Sequence, residues 1–264
     1  MGSTDHERQR LMRQGAILRE FLARAFRYAG LAPGMRVLDL GCGVGDVAML
    51  AADLVGTTGS VVGIDRDATS VAWANKRVAE AGYKNIHFQV GEFHEFTDTL
   101  PFDALVGRFI LMYLPDPVAI LRHLSQQLRP GAAIAFMEPD FTVESRAFPE
   151  SPQFKGWSWI SEVLRRSGAR IDMGMRLYAA YREAGFANIA TDVSHLSGCG
   201  INREMAEYFA DTLRSVLPKI FEYGLATPEE VQIDTLADRM ETAGREADPQ
   251  WVGSRYISAW ARKP

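Results

Sequence analysis

The reading turns on Arg36-Val37-Leu38-Asp39-Leu40-Gly41-Cys42-Gly43-Val44-Gly45-Asp46. Val37 to Leu40 is a short apolar run, interrupted by Asp39, and predicts a buried strand. Glycines follow at alternate positions, 41, 43 and 45. Val47, Leu50, Ala51 and Leu54 then recur at helical spacing, so a helix begins near Asp46 and runs to Val55. A strand, a glycine turn and a helix N-terminus converge main-chain N–H groups on one concave point. Glycine lets a ligand approach the backbone there, because no Cβ intervenes.

Downstream, Gly56-Thr57-Thr58-Gly59 is a turn, and Ser60 to Ile64 is a second apolar strand closed by Asp65. A carboxylate ~20 residues beyond the turn, at a strand end, can accept both hydroxyls of a ribose. Asp67 instead suits the N-cap of a helix over 68–81, which Gly82 ends. Ile86 to Val90 alternates as a third strand and runs into Gly91-Glu92-Phe93-His94. Phe102 to Gly107 is a fourth strand, followed by Arg108, Phe109 and Tyr113. Leu121, Leu124 and Leu128 form a helical stripe that Arg129-Pro130-Gly131 stops as a turn. Ala132 to Met137 is a fifth strand, ending in Glu138-Pro139-Asp140.

The glycine order is not the G-x-G-x-x-G of dinucleotide folds, and Asp39 puts negative charge where a pyrophosphate would sit. The D-x-G-x-G-x-G arrangement of Asp39, Gly41, Gly43 and Gly45 instead resembles the first motif of class I S-adenosylmethionine-dependent methyltransferases. The likeness covers residues 30 to 140 and, more loosely, the last strand. Its general look is that of the small-molecule members, including the ubiquinone/menaquinone type.

The resemblance implies an α/β fold: a Rossmann-like, seven-stranded, mostly parallel sheet with helices on both faces. It implies S-adenosylmethionine as cofactor and S-adenosylhomocysteine as product. Asp39, Gly41, Cys42, Gly43 and Gly45 would form the cradle, and Asp65 would hold the ribose. Arg66, Gly91, Glu92 and Phe93 would meet the adenine, with Glu92 in a place where many relatives use Asp. Residues after the fourth strand line the transfer point in that fold, which brings in Arg108, Phe109 and Tyr113. A helix over 5–29 with a Leu11/Leu18/Leu22/Ala25 stripe would cover the cofactor, bringing Gln14 and Arg13 toward its methionine end. Solvated faces and packed core are the competing readings of these side chains.

The rest departs from the minimal fold. Residues 141–170 carry Phe141, Phe148, Phe154, Trp157, Trp159 and Ile160 among turn residues. Met173 begins a helix ending at Ala184-Gly185, and Phe186 to Leu196 is a sixth strand bearing His195. Asn202 to Leu225 predicts a long helix kinked by Pro218. Thr227-Pro228-Glu229-Glu230 is a capping box that opens another helix, closed by Gly244. Trp251 to Ala261 is a seventh strand. The whole 1–264 is expected as one domain: a helical cap over 1–30, a cofactor core over 31–140, insertions at 141–170 and 200–247, and a last strand over 248–264. The insertions form either a helical lid around the sixth strand, over an apolar substrate, or extra core or a homodimer interface.

Composition narrows the partners. The chain has 264 residues, 47% hydrophobic, with net charge −4. That balance offers no field for a nucleic acid, and no apolar run reaches the ~20 residues of a membrane helix. With no secretory pattern and only Cys42 and Cys199, neither at metal-site spacing, a reduced, cytoplasmic setting without a metal is expected. The expected activity is in-line methyl transfer to O, N or C of a small apolar or aromatic metabolite. The alternatives are a peptide or protein methyltransferase and a non-methylating cofactor-binding protein. A base is needed only if the acceptor holds a proton at neutral pH, and His195, Tyr113, Glu138 and His94 are the candidates.

Overall fold

In the computed structural model, residues 5–142, 152–199, 202–247 and 250–264 are described. The first helix, α1, spans Asp5–Tyr28. An alternating series follows: β1 (Arg36–Leu40), α2 (Asp46–Val55), β2 (Ser60–Asp65), α3 (Ala68–Glu80) and β3 (Ile86–Val90). Then come β4 (Phe102–Arg108), a 3₁₀ turn over Leu111–Tyr113, α4 (Pro117–Ser125) and β5 (Leu128–Asp140). The remainder is α5 (Pro152–Arg166), α6 (Met173–Ala184), β6 (Ala187–Cys199), α7 (Arg203–Glu222), α8 (Pro228–Val231), α9 (Leu236–Ala247) and β7 (Gln250–Arg262).

The sheet has seven strands in the order β3-β2-β1-β4-β5-β7-β6. Pairing is parallel for β1 with β2 and β4, for β2 with β3, and for β4 with β5. Parallel strands need crossovers, and α2, α3 and α4 supply them. Strands covered on both faces read as continuous apolar runs, and Val37, Leu38, Leu40, Ala104, Leu105 and Val106 are all fully buried. The strand order reverses between β1 and β4. That switch point is where open α/β sheets bind ligands, beyond the carboxyl ends of the strands.

The described chain falls into two compact units. One comprises Gly15–Glu138, Met173–Val193 and Ile257–Pro264, and holds β1 to β4 with the glycine turn. The other comprises the described residues of Met1–Gln14, Pro139–Asp172 and Ser194–Tyr256. The expected insertions therefore group with the start of α1, and the expected cap over 1–30 is divided between Gln14 and Gly15.

Several expectations are corrected. Residues 152–166 are helix, not turns: Gly156 is small because a Cβ there would lie 2.6 Å from the Phe209 ring. Within that second unit Trp157 packs between Phe141 and Phe209, with ring centroids 5.4 Å from each. Phe148 lies outside the described residues. Arg129-Pro130-Gly131 is not a turn between elements but a bulge inside β5: Phe102 pairs with Leu128 while Ala104 pairs with Ala133. The chain reverses instead at Gln126-Gln127. The capping box on Thr227 forms as expected, but its helix lasts one turn, because Gln232 adopts φ 47. The next helix then runs through Gly244 to Ala247. Asn202 caps α7, accepting from the Met205 N–H at 2.9 Å, and the helix continues past Pro218.

Candidate active site

β1 delivers Asp39 and the turn. The Gly41 and Cys42 N–H groups both donate to the Ile64 carbonyl of β2, at 2.8 and 3.1 Å, which bends the chain sharply off the strand. Gly41, Gly43 and Gly45 all have positive φ, at 66°, 50° and 89°. Their surroundings differ. A Cβ on Gly41 would sit 2.5 Å from the Ile110 side chain, and one on Gly45 would sit 3.1 Å from the Phe88 ring. A Cβ on Gly43 would meet nothing within 4 Å. The outer glycines are there for packing, and the middle one faces open space.

Two carboxylates border that turn. Asp65 accepts from the Gly43 N–H through Oδ2 and from the Asp67 N–H through Oδ1, both at 2.9 Å. Each oxygen keeps a lone pair for a further donor. Asp39 is fully buried, and neither of its oxygens has a hydrogen-bond partner among the described residues. Burial pushes its carboxyl well above the ordinary value. Arg108 pulls it back, Asp65 adds to the rise, the Ala48 N–H lowers it without a well-formed bond, and Asp46 raises it. The buried Cys42 thiol is raised by burial and by the same two neighbours, Asp39 and Asp65, which keeps it unreactive.

Asp46 at the start of α2 is a hub. Its Oδ1 receives Arg77 of α3 at 2.9 Å, and its Oδ2 lies 3.8 Å from Arg108. Arg77 also donates to the Val44 carbonyl inside the turn. Gly15 of α1 passes so close that a Cβ would be 2.6 Å from the Asp46 carboxyl carbon. Nothing in the sequence marked Arg77 or Gly15, since both act on residues distant in the chain.

The other expected positions divide. Gly91 follows β3 and donates to the Asp65 carbonyl at 3.0 Å, so this loop runs beside the ribose candidate. Phe93 is buried, whereas Glu92, Arg66 and His94 are exposed. Phe109 stands just past β4 with φ 54, a conformation costly for a bulky residue and common where function over-determines the backbone. Tyr113 is 41% exposed on the same segment. His123 is engaged with the Phe96 carbonyl at 3.0 Å.

Glu138, Gln14 and Arg13 have partners of their own. Glu138 is fully buried and accepts from the N–H groups of Ile110, Leu111 and Met112, at 2.9, 2.8 and 3.3 Å. Burial pushes its carboxyl up to about 8 against the pull of those three donors. It has no exposed oxygen with which to take a proton from a substrate. In the second unit Gln14 donates to the Tyr208 hydroxyl at 3.0 Å, and Arg13 pairs with Asp211 at 3.0 Å. His195, also in that unit, is exposed on the edge strand β6.

Comparison with known proteins identifies the architecture. The model of a family described as "Methyltransferase domain" matches residues 31–169, which is 139 of the 264 residues. The chain belongs to the methyltransferase domain family. Its class I character follows from the Rossmann-like seven-stranded sheet and the glycine turn. The chain is similar to 2-phytyl-1,4-naphtoquinone methyltransferase of Synechococcus elongatus, 38% identical over 117 residues, which are 43% of this chain and 50% of that protein. It is similar to aklanonic acid methyltransferase DauC of a Streptomyces species, 37% identical over 122 residues, 45% of this chain and 54% of that one. This methyltransferase-family chain thus spans about half the length of these curated relatives. Its fold matches the solved structure of BH2331 from Bacillus halodurans C-125 with a TM-score of 0.62 at 18% identity, covering 92% of this chain and 98% of that one.

Proposed function

We propose that this protein is an S-adenosylmethionine-dependent methyltransferase acting on a small apolar or aromatic metabolite by in-line methyl transfer. The observation that carries the reading is Asp39: a fully buried carboxylate with two unpartnered oxygens, beside a turn whose middle glycine faces open space. A buried charge is tolerated only when something pairs with it. A ligand bearing a positively charged amino-acid end supplies such a partner, and a pyrophosphate does not.

The cofactor fits the residues present. Asp39 would take its ammonium group, and Gly43 would let it lie against the backbone. Asp65 would accept from the ribose, since a carboxylate is acceptor-only and each of its oxygens retains a lone pair. Phe93 and Glu92, after β3, would flank the base, with Arg66 beside it. When bound, the cofactor supplies a methyl group already activated by a sulfonium sulfur. The chain's part is alignment and exclusion of water, and the post-β4 segment from Arg108 to Tyr113 would present the acceptor. Tyr113 is the candidate that can orient it through its hydroxyl. An acceptor with no proton to lose at neutral pH needs no base, and the geometry singles out none.

Two facts support a small organic substrate. The relatives above are named for a naphthoquinone and for aklanonic acid. The second unit holds a Phe141–Trp157–Phe209 aromatic stack, a composition suited to apolar ligands.

The test is a thermal-shift and calorimetry comparison of S-adenosylmethionine, S-adenosylhomocysteine and NAD. A ligand that binds only the native state stabilises it by about 2.7 kcal/mol at a hundredfold excess over Kd. The two sulfur nucleosides should raise Tm, and NAD should not. No shift with either nucleoside, or a larger one with NAD, overturns the reading.

A further inference from the structure

Glu138 is, among the described residues of the first unit, the one carboxylate that is fully buried and bonded through both oxygens to backbone. Its Oε1 accepts from the Ile110 and Leu111 N–H groups, and its Oε2 from that of Met112. Those three consecutive amides open the 3₁₀ turn after β4. Helical first-turn N–H groups have no partner within their own turn, so a carboxylate placed beyond them acts as a cap from another strand. The strand neighbour Met137 adds its carbonyl, which accepts from the Phe109 N–H at 2.9 Å. The end of β5 thereby grips residues 109–112 through four consecutive amides.

The gripped segment touches the cofactor cradle. Ile110 presses its side chain against Gly41 so closely that a Cβ there would overlap it at 2.5 Å. Phe109 is held at φ 54, a conformation that an untethered phenylalanine would leave. Arg108, on one side, lowers the pKa of Asp39, and Tyr113 lies on the other. We propose that Glu138 is a positioning residue: it locks the 109–112 segment onto the glycine turn, and so sets the cofactor cradle and the transfer point in one registered piece. The proposal rests on the methyltransferase reading for what the cradle holds, but the clasp itself needs no ligand to be observed.

Above about pH 8, where Glu138 is ionised, its carboxylate accepts from three N–H groups at once. In Glu138→Gln one oxygen remains for Ile110 and Leu111, while the new amide NH₂ points a donor at the Met112 N–H. The variant keeps the side-chain volume and removes a buried ionisable group, so its Tm should not fall. Its clasp should loosen all the same.

The experiment, run at pH 9 where Glu138 is ionised, measures amide hydrogen exchange at residues 109–113 and calorimetric affinity for S-adenosylhomocysteine, in wild type, Glu138→Gln and Glu138→Ala. Expected for Glu138→Gln are at least tenfold faster exchange confined to 110–112 and at least tenfold weaker binding, at undiminished Tm. Glu138→Ala should lose more of both; if it does not fold, the glutamine variant decides. Faster exchange with wild-type affinity overturns the positioning role and leaves only a fold contact. Unchanged exchange overturns the clasp. If wild type itself takes up no S-adenosylhomocysteine, the methyltransferase reading has failed; unchanged exchange in Glu138→Gln then overturns the clasp, and faster exchange confined to 110–112 upholds it.

Discussion

Asp39 occupies a place where a carboxylate gains nothing for stability. It lies in the middle of β1, fully buried, with both oxygens unbonded and its pKa raised chiefly by that burial. An apolar or amide side chain there would be no worse for the empty protein. A position kept in such a state makes sense when a cation completes it. Asp39→Asn should therefore leave unfolding by urea at pH 8 unweakened. The same change should weaken S-adenosylhomocysteine binding by tenfold or more, the loss expected for a charge-assisted hydrogen bond of ~1.5–3 kcal/mol. Calorimetry checks it, and equal affinity would remove Asp39 from the cradle. Asp39 and Asp65 were legible in the sequence because the glycine order and the strand ends position them. Glu138 was legible only as a carboxylate at a strand end. Its partners are main-chain amides 26 to 28 residues earlier, and backbone amides leave no mark in sequence. The surroundings of Gln14 and His195 were hidden for a related reason: Gln14 is tied to Tyr208, 194 residues away in the chain, and His195 sits exposed on a strand at the edge of the sheet.

At the scale of elements, α3 joins stability to the cradle. Its N-cap, Asp67, accepts from the Thr69 and Ser70 N–H groups at 3.1 and 3.3 Å and from both hydroxyls, at 2.7 and 2.6 Å. The hydroxyl bonds, Ser70 first, hold its carboxyl below the usual range. Asp67→Ala should lower unfolding stability by about 1 kcal/mol, read from urea midpoints. Because Arg77 of the same helix grips Val44 and Asp46, the variant should also fray the turn's support at its far end. Elements with plain periodicity and caps were readable to within a residue or two, from β1 through β4. The failures have physical causes. The turn residues set among its aromatics hid α5, and one of them, Gly156, is a close-packing point for Phe209. The helix opened by the capping box stops at Gln232 in a left-handed conformation that no glycine or asparagine announces. Arg129-Pro130-Gly131 looked like a turn because its composition suits one, and a strand can carry the same residues as a bulge.

The division of the described chain into two units was not legible, because it joins residues 5–14 with segments more than a hundred residues downstream. What was legible is the alternation of strands and helices that dictates the switch point and hence the place of the cradle. One consequence belongs to the whole chain. Two fully buried carboxyls, Asp39 and Glu138, both have raised pKa values in the folded state, Glu138 from 4.5 to about 8. The folded protein therefore holds protons that the unfolded chain releases. Stability from this source is complete below the unfolded value and is lost as pH climbs through the folded one. For Glu138 the window runs from about 4.5 to about 8, with a slope of at most ~1.4 kcal/mol per pH unit. Urea unfolding of the ligand-free protein should thus show stability declining between pH 5.5 and about 8, opposite to the trend of a protein dominated by salt-bridged carboxylates. Glu138→Gln and Asp39→Asn should each flatten that decline, and the double variant should flatten it further, since separate protons are involved. A wild-type slope unchanged by either substitution would mean that both carboxyls ionise in the fold at ordinary pH. The three amides on Glu138 and the Arg108 field on Asp39 would then outweigh the cost of burial.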